Sequence, residues 1–351
     1  HLVWPQAPLG RLRSYLATRC RNHDHWRGQQ ELTDSEFLLR FGQWRGSYDE
    51  STLFYFLDDF AKDHAKELMS VLATTALLSA DDDAAAAALL PGIADGTVIA
   101  TVAIADDNDP GPDGVRLAAE PAADGAGWRL TGTKPYVLDG ADAALIIVAA
   151  RTPAGVSLFL VDSGADGFIA TNLPTLDLTR RLASLEFADT PATLLGGEGA
   201  GSAVCDQVLR TAAVALACEQ VGGAAKVLET TVEYVKTREQ FGRPIGSFQA
   251  VKHRLADMLV QLESARSAAY FATAALESES DEAPVAASIA KSYCSSAYYD
   301  IAAESIQLHG GIGFTWEHTA HRYVTRSRVY GSALGTTHGH LGETLAASAP
   351  H

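Results

Sequence analysis

Positive charge is in short supply in this chain. It carries 27 Lys and Arg against 43 Asp and Glu over 351 residues, a formal net charge of −16. So acidic a balance disfavours a polyanion, and nucleic-acid binding through a basic face is not expected. Cysteine is scarce as well, with four in all: Cys20, Cys205, Cys218 and Cys294. None has the CxxC or Cys/His spacing of a metal site, so no metal is expected. Cys205 and Cys218 stand among Ala, Val and Leu and read as small core residues. The pattern suits a reducing cytoplasm. No apolar run reaches about 18 residues and no secretory leader is seen, so a cytoplasmic protein without a membrane span is expected.

What is there is enough apolar residue for a large core, 47% of the chain. Apolar positions from Phe37 to Leu78 allow several helices, for example around Phe54–Leu72. Residues 81–92, DDDAAAAALLPG, predict a helix with acids at its positive end and Pro91-Gly92 as its stop. From Thr97 the pattern changes to short β-rich runs: TVIATVAIAD, VRLAAEP, WRLTGTKPYVL, AALIIVAAR, VSLFLVD and ASLEFAD, punctuated by Gly, Pro, Asp and Asn. Helical period returns near Ser202. It predicts helices over Val204–Lys236, Phe248–Glu277 and Pro284–Leu308, then one or two more over His318–Ala347. Long helices joined by short loops make a bundle. The expected fold class is therefore α+β: an N-terminal helical domain (1–96), a central antiparallel β domain (97–201) and a C-terminal four-helix bundle (202–351).

Two motifs lie in the bundle. One is Arg238-Glu-Gln-Phe-Gly242 followed by Arg-Pro-Ile-Gly-Ser-Phe-Gln249; the other is Gln307-Leu-His-Gly-Gly-Ile-Gly-Phe314. With the order of domains, and with LLPGIADG near residue 90 and LLGGEGAG at 194–201, they make the chain resemble the acyl-CoA dehydrogenases over roughly residues 81–345. The resemblance implies FAD as cofactor and an acyl-CoA as substrate. It also implies an electron-transferring flavoprotein as acceptor. It places Arg238, Gln249, Gln307, His309, Gly310 and Gly311 at the adenine-nucleotide half of an FAD held mainly by a neighbouring subunit, and counts Phe241 among the cofactor-binding residues.

Physical chemistry agrees with those roles. A guanidinium fork binds a pyrophosphate bidentately and stays charged. Read without the resemblance, Arg238 is a surface arginine paired with Glu233 or Glu239. Gly310 and Gly311 lack a Cβ, so the backbone can approach a nucleotide; a lone Gly-Gly is otherwise a helix-ending turn. Phe241 packs either on the flavin or under its loop. Gln249 either bonds the cofactor or caps the next helix.

The chain departs from the resemblance where the chemistry sits. The family's glutamate base, which takes the α-proton while the β-hydride goes to the flavin, is expected at Leu334 or Ala212, and neither residue can accept a proton. Glu219 lies about 10 Å along the helix from Ala212, too far for direct transfer, and reads as a partly buried structural residue. In the β domain Tyr136-Val137-Leu138 stands where flavin-binding members carry a Trp-Ile-Thr-like triplet, and Leu138 cannot donate a hydrogen bond. The run Ala105-Asp-Asp-Asn-Asp109 places acids where a flavin phosphate is expected. Together these predict a non-catalytic subunit of an α2β2 heterotetramer, whose partner chain carries the glutamate, with a steroid side-chain acyl-CoA as the suggested substrate. Two alternatives remain at this point. One is a flavin monooxygenase of the same fold. The other is a flavin-free structural or acyl-CoA-binding homologue.

Overall fold

The structure is a computed structural model that describes residues 59–106, 111–123, 125, 127–336 and 339–340. The sequence readings between Phe37 and residue 58, and those beyond His340, lie outside the described residues. The chain divides into two compact units, with the boundary between Ala212 and Ala213.

The first unit opens with helix α1 (Asp59–Ser79) and helix α2 (Asp83–Asp95). Asp82 starts α2, its carboxylate accepting from the Ala85 amide at 3.0 Å. The expected stop at Pro91-Gly92 is not where α2 ends. Pro91 lies inside the helix, and Gly96 closes it in the left-handed conformation at φ 81°. Proline removes a single amide donor. The chain continues because Gly92 packs against Val98, which returns to donate to the Gly92 carbonyl at 2.9 Å.

Seven strands follow: β1 (Ala100–Ala103), β2 (Ala118–Pro121), β3 (Trp128–Leu138), β4 (Leu145–Thr152), β5 (Gly155–Asp162), β6 (Phe168–Leu173) and β7 (Leu182–Leu195). The pairings β4–β2–β3–β7–β5–β4 close into a ring, with β1 added beside β4 and β6 beside β7. Most pairings are antiparallel, as expected, but β1 runs parallel to β4, and β2 meets β4 in parallel at Ala118 and Arg151. Strand β4 is an apolar run, and Ile146–Ala150 is buried throughout. Inside the ring Leu130, Ile146, Val148, Phe159 and Leu185 form the core, with Trp128 tilted onto Phe159 at 5.4 Å between ring centroids. Strand β6, FIATNL, is absent from the sequence reading. Among the described strands it pairs with β7, and its apolar residues do not alternate: Ile169 is exposed between half-buried Phe168 and Ala170.

Helix α3 (Gly201–Thr237) belongs to both units by chain. In the second unit it packs with α4 (Gln249–Glu277), α5 (Ala283–His309) and α6 (Ala320–Ser332). The bounds match the helical runs read from sequence to within three residues for α3, α4 and α5. Small side chains bring these helices close. A Cβ at Gly223 of α3 would lie 2.8 Å from the ring and hydroxyl of Tyr298, itself fully buried on α5. Polar pairs fix the register: Gln220 donates to Ser295 at 3.0 Å, and Thr231 to Ser305 at 2.8 Å. Cys218 and Cys205 are buried, as expected, and burial pushes both thiols up to about 12.

Candidate nucleotide-binding end of the bundle

Helix α3 ends at Thr237, and a two-residue hairpin turn follows between β8 (Glu239–Gln240) and β9 (Arg243–Pro244). Phe241 and Gly242 make that turn, both left-handed at φ 55° and 75°, as a hairpin twisted to match its strands requires. Glycine adopts this conformation freely; phenylalanine does so at a cost of order 1 kcal/mol or more. Phe241 is nevertheless 93% exposed. Its ring meets Phe248 edge-on at 6.1 Å, and the Arg243 guanidinium lies 4.1 Å over the Phe248 ring. The backbone of Arg238 is fixed on both sides: its amide donates to Tyr234 and its carbonyl accepts from Ile245, each at 2.8 Å.

The side chain of Arg238 is exposed. The plain reading, a surface ion pair with Glu233 or Glu239, does not describe it. Glu233 pairs with Lys236 at 2.6 Å, and no ion pair of Arg238 occurs among the described residues. Gln249 is the first residue of α4 and exposed. The N-cap is Phe248, without a side-chain cap bond, so the capping role considered for Gln249 is not taken up.

Tyr234 ties the second motif to the first. Its ring stacks on His309 at 4.3 Å and its hydroxyl donates to the His309 carbonyl at 3.2 Å. Arg238 and Gly310–Gly311, separated by some seventy residues, are thereby held at one end of the bundle. Gln307 is exposed there. Gly310 has φ 66° and ψ −142°, a conformation open essentially to glycine alone. A Cβ built on Gly310 or Gly311 would meet nothing within 4 Å, so this backbone faces open space. His309 is placed differently from the expectation: it is 4% exposed, its Nδ1 lies 2.7 Å from the Ser305 carbonyl, and its ring packs between Tyr234 and His318. The ring supports the Gly310 turn from within.

The positions expected to hold a base contain none. Ala212 is fully buried in α3. Leu334 sits in a turn just past α6 at φ 59°. That turn is built from the inside. Lys291, buried on α5, donates to the Tyr330 carbonyl at 2.8 Å and reaches the Gly335 carbonyl at 3.5 Å. An ammonium so placed caps the negative end of α6. Desolvation lowers the Lys291 amine to about 8. His340 Nε2 lies 3.0 Å from the Leu334 carbonyl. Glu219 is 4% exposed and accepts from Tyr330 at 2.6 Å, with Arg326 at 3.9 Å, which agrees with its structural reading.

In the β domain, Pro135-Tyr136 forms a bulge in β3 against β7, where the register shifts between Lys134 and Val137. Tyr136 is left-handed at φ 57° and 63% exposed. The Leu138 carbonyl accepts from Thr101 at 2.7 Å. Asp106 corrects the reading of the acidic run as a barrier to a phosphate. Its carboxylate turns inward to the fully buried Lys134 at 2.5 Å and also accepts from the amides of Arg116 and Leu117. Its charge is neutralised there; Asp107, Asn108 and Asp109 lie outside the described residues. Lys134 also donates to the Ile104 carbonyl at 2.7 Å, and burial is the main cause that lowers its pKa, against the pull of Asp106.

Sequence reasoning missed Tyr234, Lys291 and Trp316. The first stands four residues before Arg238, and the last two residues after the glycine motif, so both were within reach of the motifs. Lys291 gives no sequence signal, because the partners it reaches beyond its own helix are backbone carbonyls.

Residues 199–347 match the acyl-CoA dehydrogenase C-terminal domain. The acyl-CoA dehydrogenase IpdE2 of Mycobacterium tuberculosis is 40% identical over 246 residues, covering 70% of this chain and 69% of that protein. This chain belongs to the acyl-CoA dehydrogenase family. The family is one of flavoprotein oxidoreductases whose cofactor is FAD. Among solved structures, PigA, determined with FAD and proline, superposes with a TM-score of 0.81 at 24% identity, over 97% of this chain and 92% of that one, which shows the shared fold. A variant of the Tcur3481-Tcur3483 steroid ACAD superposes with a TM-score of 0.71 at 28% identity, over 96% of each chain. Among the described residues no helix is long and apolar enough to cross a membrane, and no cluster of His, Cys, Asp or Glu is arranged to hold a metal.

Proposed function

We propose that this acyl-CoA dehydrogenase family member is the non-catalytic subunit of an α2β2 enzyme. It grips the adenine-nucleotide half of FAD through Arg238, Gln249, Gln307 and Gly310–Gly311. A related partner chain supplies the flavin seat, the acyl-CoA site and the glutamate base. The observation that carries this reading is the unspent guanidinium of Arg238. It is exposed, has no ion pair among the described residues, and is held at the same end of the bundle as the open backbone of Gly310–Gly311.

The residues present fit the group. Arg238 supplies a fork to the pyrophosphate, Gly310 and Gly311 let the nucleotide approach main-chain atoms, and His309 and Tyr234 hold that turn rigid. Phe241, kept outward in a costly backbone conformation, is covered once the partner arrives. FAD, when bound, accepts the hydride removed from the β-carbon of the acyl-CoA. This chain contributes binding and orientation, because Ala212 and Leu334 offer no proton acceptor. An electron-transferring flavoprotein is the proposed acceptor. The likeness to the Tcur3481-Tcur3483 steroid ACAD, named as a pair of polypeptides, supports both the split organisation and a steroid side-chain CoA as substrate.

Asp106 favours a second reading. With its charge turned inward to Lys134, one objection to a flavin on this chain's own β domain falls, and a homo-oligomer performing base-free flavin chemistry gains. The test is to co-purify the chain with related chains encoded beside it and compare Arg238→Ala with the unsubstituted complex. The heteromer reading expects FAD to be lost while the two chains stay together. Retention of FAD at full affinity would overturn it.

A further inference from the structure

Trp316 is not used by the reading above, yet it is among the most exposed large side chains of the bundle, at 68%. It belongs to a loop that is clasped rather than loose. The loop leaves α5 at His309, runs through a five-residue 3-10 turn, Gly310–Phe314, and returns at His318, whose ring packs on His309 at 4.4 Å. Hydrogen bonds from the Thr315 amide to the Ile312 carbonyl at 3.0 Å and from the His318 amide to the Thr315 carbonyl at 3.3 Å tighten the loop. Trp316 sits between these anchors. Its indole meets His321 at 71° with 4.7 Å between centroids. One side of the ring is thus set by a neighbour on α6, while two thirds of the residue stays open. Burial lowers the pKa of His321, which keeps that neighbour toward its neutral form and suits it to apolar packing. The same loop carries the open backbone of Gly310–Gly311, and Tyr234 links it to Arg238.

A fork for two phosphates, a bare glycine backbone and a fixed, half-open indole are the three contacts an adenosine diphosphate group asks for. A flat aromatic face binds a nucleobase by stacking, whatever the base. We propose that Trp316 is the stacking platform for the adenine ring of a bound adenosine-diphosphate moiety whose phosphates Arg238 holds. FAD and coenzyme A both carry that moiety. The proposal rests on the FAD reading above for the identity of the nucleotide and adds the residue that recognises its base.

The test uses the co-purified complex carrying Trp316→Ala, Trp316→Phe or Arg238→Ala. FAD and FMN affinities are measured by flavin fluorescence, acyl-CoA by its KM, and subunit association by size-exclusion chromatography. Thermal melting confirms folding, which an exposed side chain does not govern. The expected result is a loss of FAD affinity of about tenfold in Trp316→Ala, most of it restored by Trp316→Phe. FMN, which has no adenine, is expected to bind equally to both. If instead the KM for acyl-CoA rises about tenfold with FAD unmoved, the platform stands and its adenine is that of coenzyme A. An equal loss of FAD and FMN, separation of the subunits, or no change in any affinity would each overturn the platform. Arg238→Ala keeps the two readings apart. If it empties the complex of FAD while Trp316→Ala does nothing, the FAD reading survives and the platform fails. If Trp316→Ala alone weakens FAD, the platform survives and the role given to Arg238 fails.

Discussion

The open end of the bundle and the Leu334 turn use their polar groups in opposite ways. At the open end Arg238 and Gln307 are exposed, Gly310–Gly311 face empty space, and Phe241 and Trp316 stand outward. At the Leu334 turn the polar groups are consumed internally: Lys291 donates to carbonyls and to the Ser295 hydroxyl, His340 lies against the Leu334 carbonyl, and Tyr330 bonds Glu219. The bulge of β3 resembles the second case, with Lys134 and Asp106 satisfying each other. A region that keeps costly groups unspent is one that meets a second molecule. A region that satisfies its own groups is scaffold. That contrast, more than the absence of any one residue, supports the binding role proposed for this chain.

Breaking the scaffold side gives the largest effects. Asp106→Ala leaves Lys134 buried without its counter-charge and is expected to destabilise the β domain by about 3–5 kcal/mol, read from urea unfolding. A loss below about 1 kcal/mol would show that the pair is not buried in solution. Lys291 gives a pH-dependent effect. Its amine titrates near 8 in the folded protein against an ordinary 10.5. Below pH 8 the full cost of burying the ammonium is present. Between pH 8 and 10.5 the folded state has released its proton while the unfolded state retains it, so stability rises with pH. The rise is up to about 3 kcal/mol at 1.36 kcal/mol per unit. Unfolding at pH 7.5 and pH 10 is expected to show that gain relative to Lys291→Met, which lacks it; parallel curves for the two proteins would contradict it.

The next effect is on packing. Gly223→Ala drives a methyl group toward Tyr298 and is expected to cost about 1–3 kcal/mol as overpacking, seen as a lower melting temperature. On the open side the stability effects are small and the binding effects decide. Phe241→Gly relieves a left-handed phenylalanine, so the isolated chain is expected to be unchanged or more stable by up to about 1 kcal/mol. Its association with the partner is expected to weaken, as measured by titration calorimetry. Unaltered association would mean that the exposed ring has no surface to meet.

Much of this was legible in the sequence, for identifiable reasons. Helices α3, α4 and α5 announce themselves by long runs of Ala, Leu and Val between Gly- and Pro-bearing loops. Strand β4 does so by an unbroken apolar run. The Arg238 and Gly310 motifs were readable because a guanidinium fork and a glycine turn suit the one chemistry proposed for them. What escaped depended on contacts between distant residues. Pro91 reads as a stop, but Val98 folds back and Gly96 ends the helix. His309 reads as a ligand, but its neighbours Tyr234 and His318 enclose it. Asp106 reads as surface acid, but Lys134, far along the chain, draws it inward. The half-exposed β6 carries its apolar residues consecutively at Phe168–Ala170 rather than in alternation, so no strand period registers.

The central claim is that this chain holds half of a cofactor site and needs another chain for the rest. It is tested most directly by the FAD content per polypeptide, measured first on the chain purified alone and then on the complex with its related partner. The account predicts no retained flavin in the lone chain and one FAD per pair of chains in the complex. One FAD per polypeptide in the lone chain would contradict it.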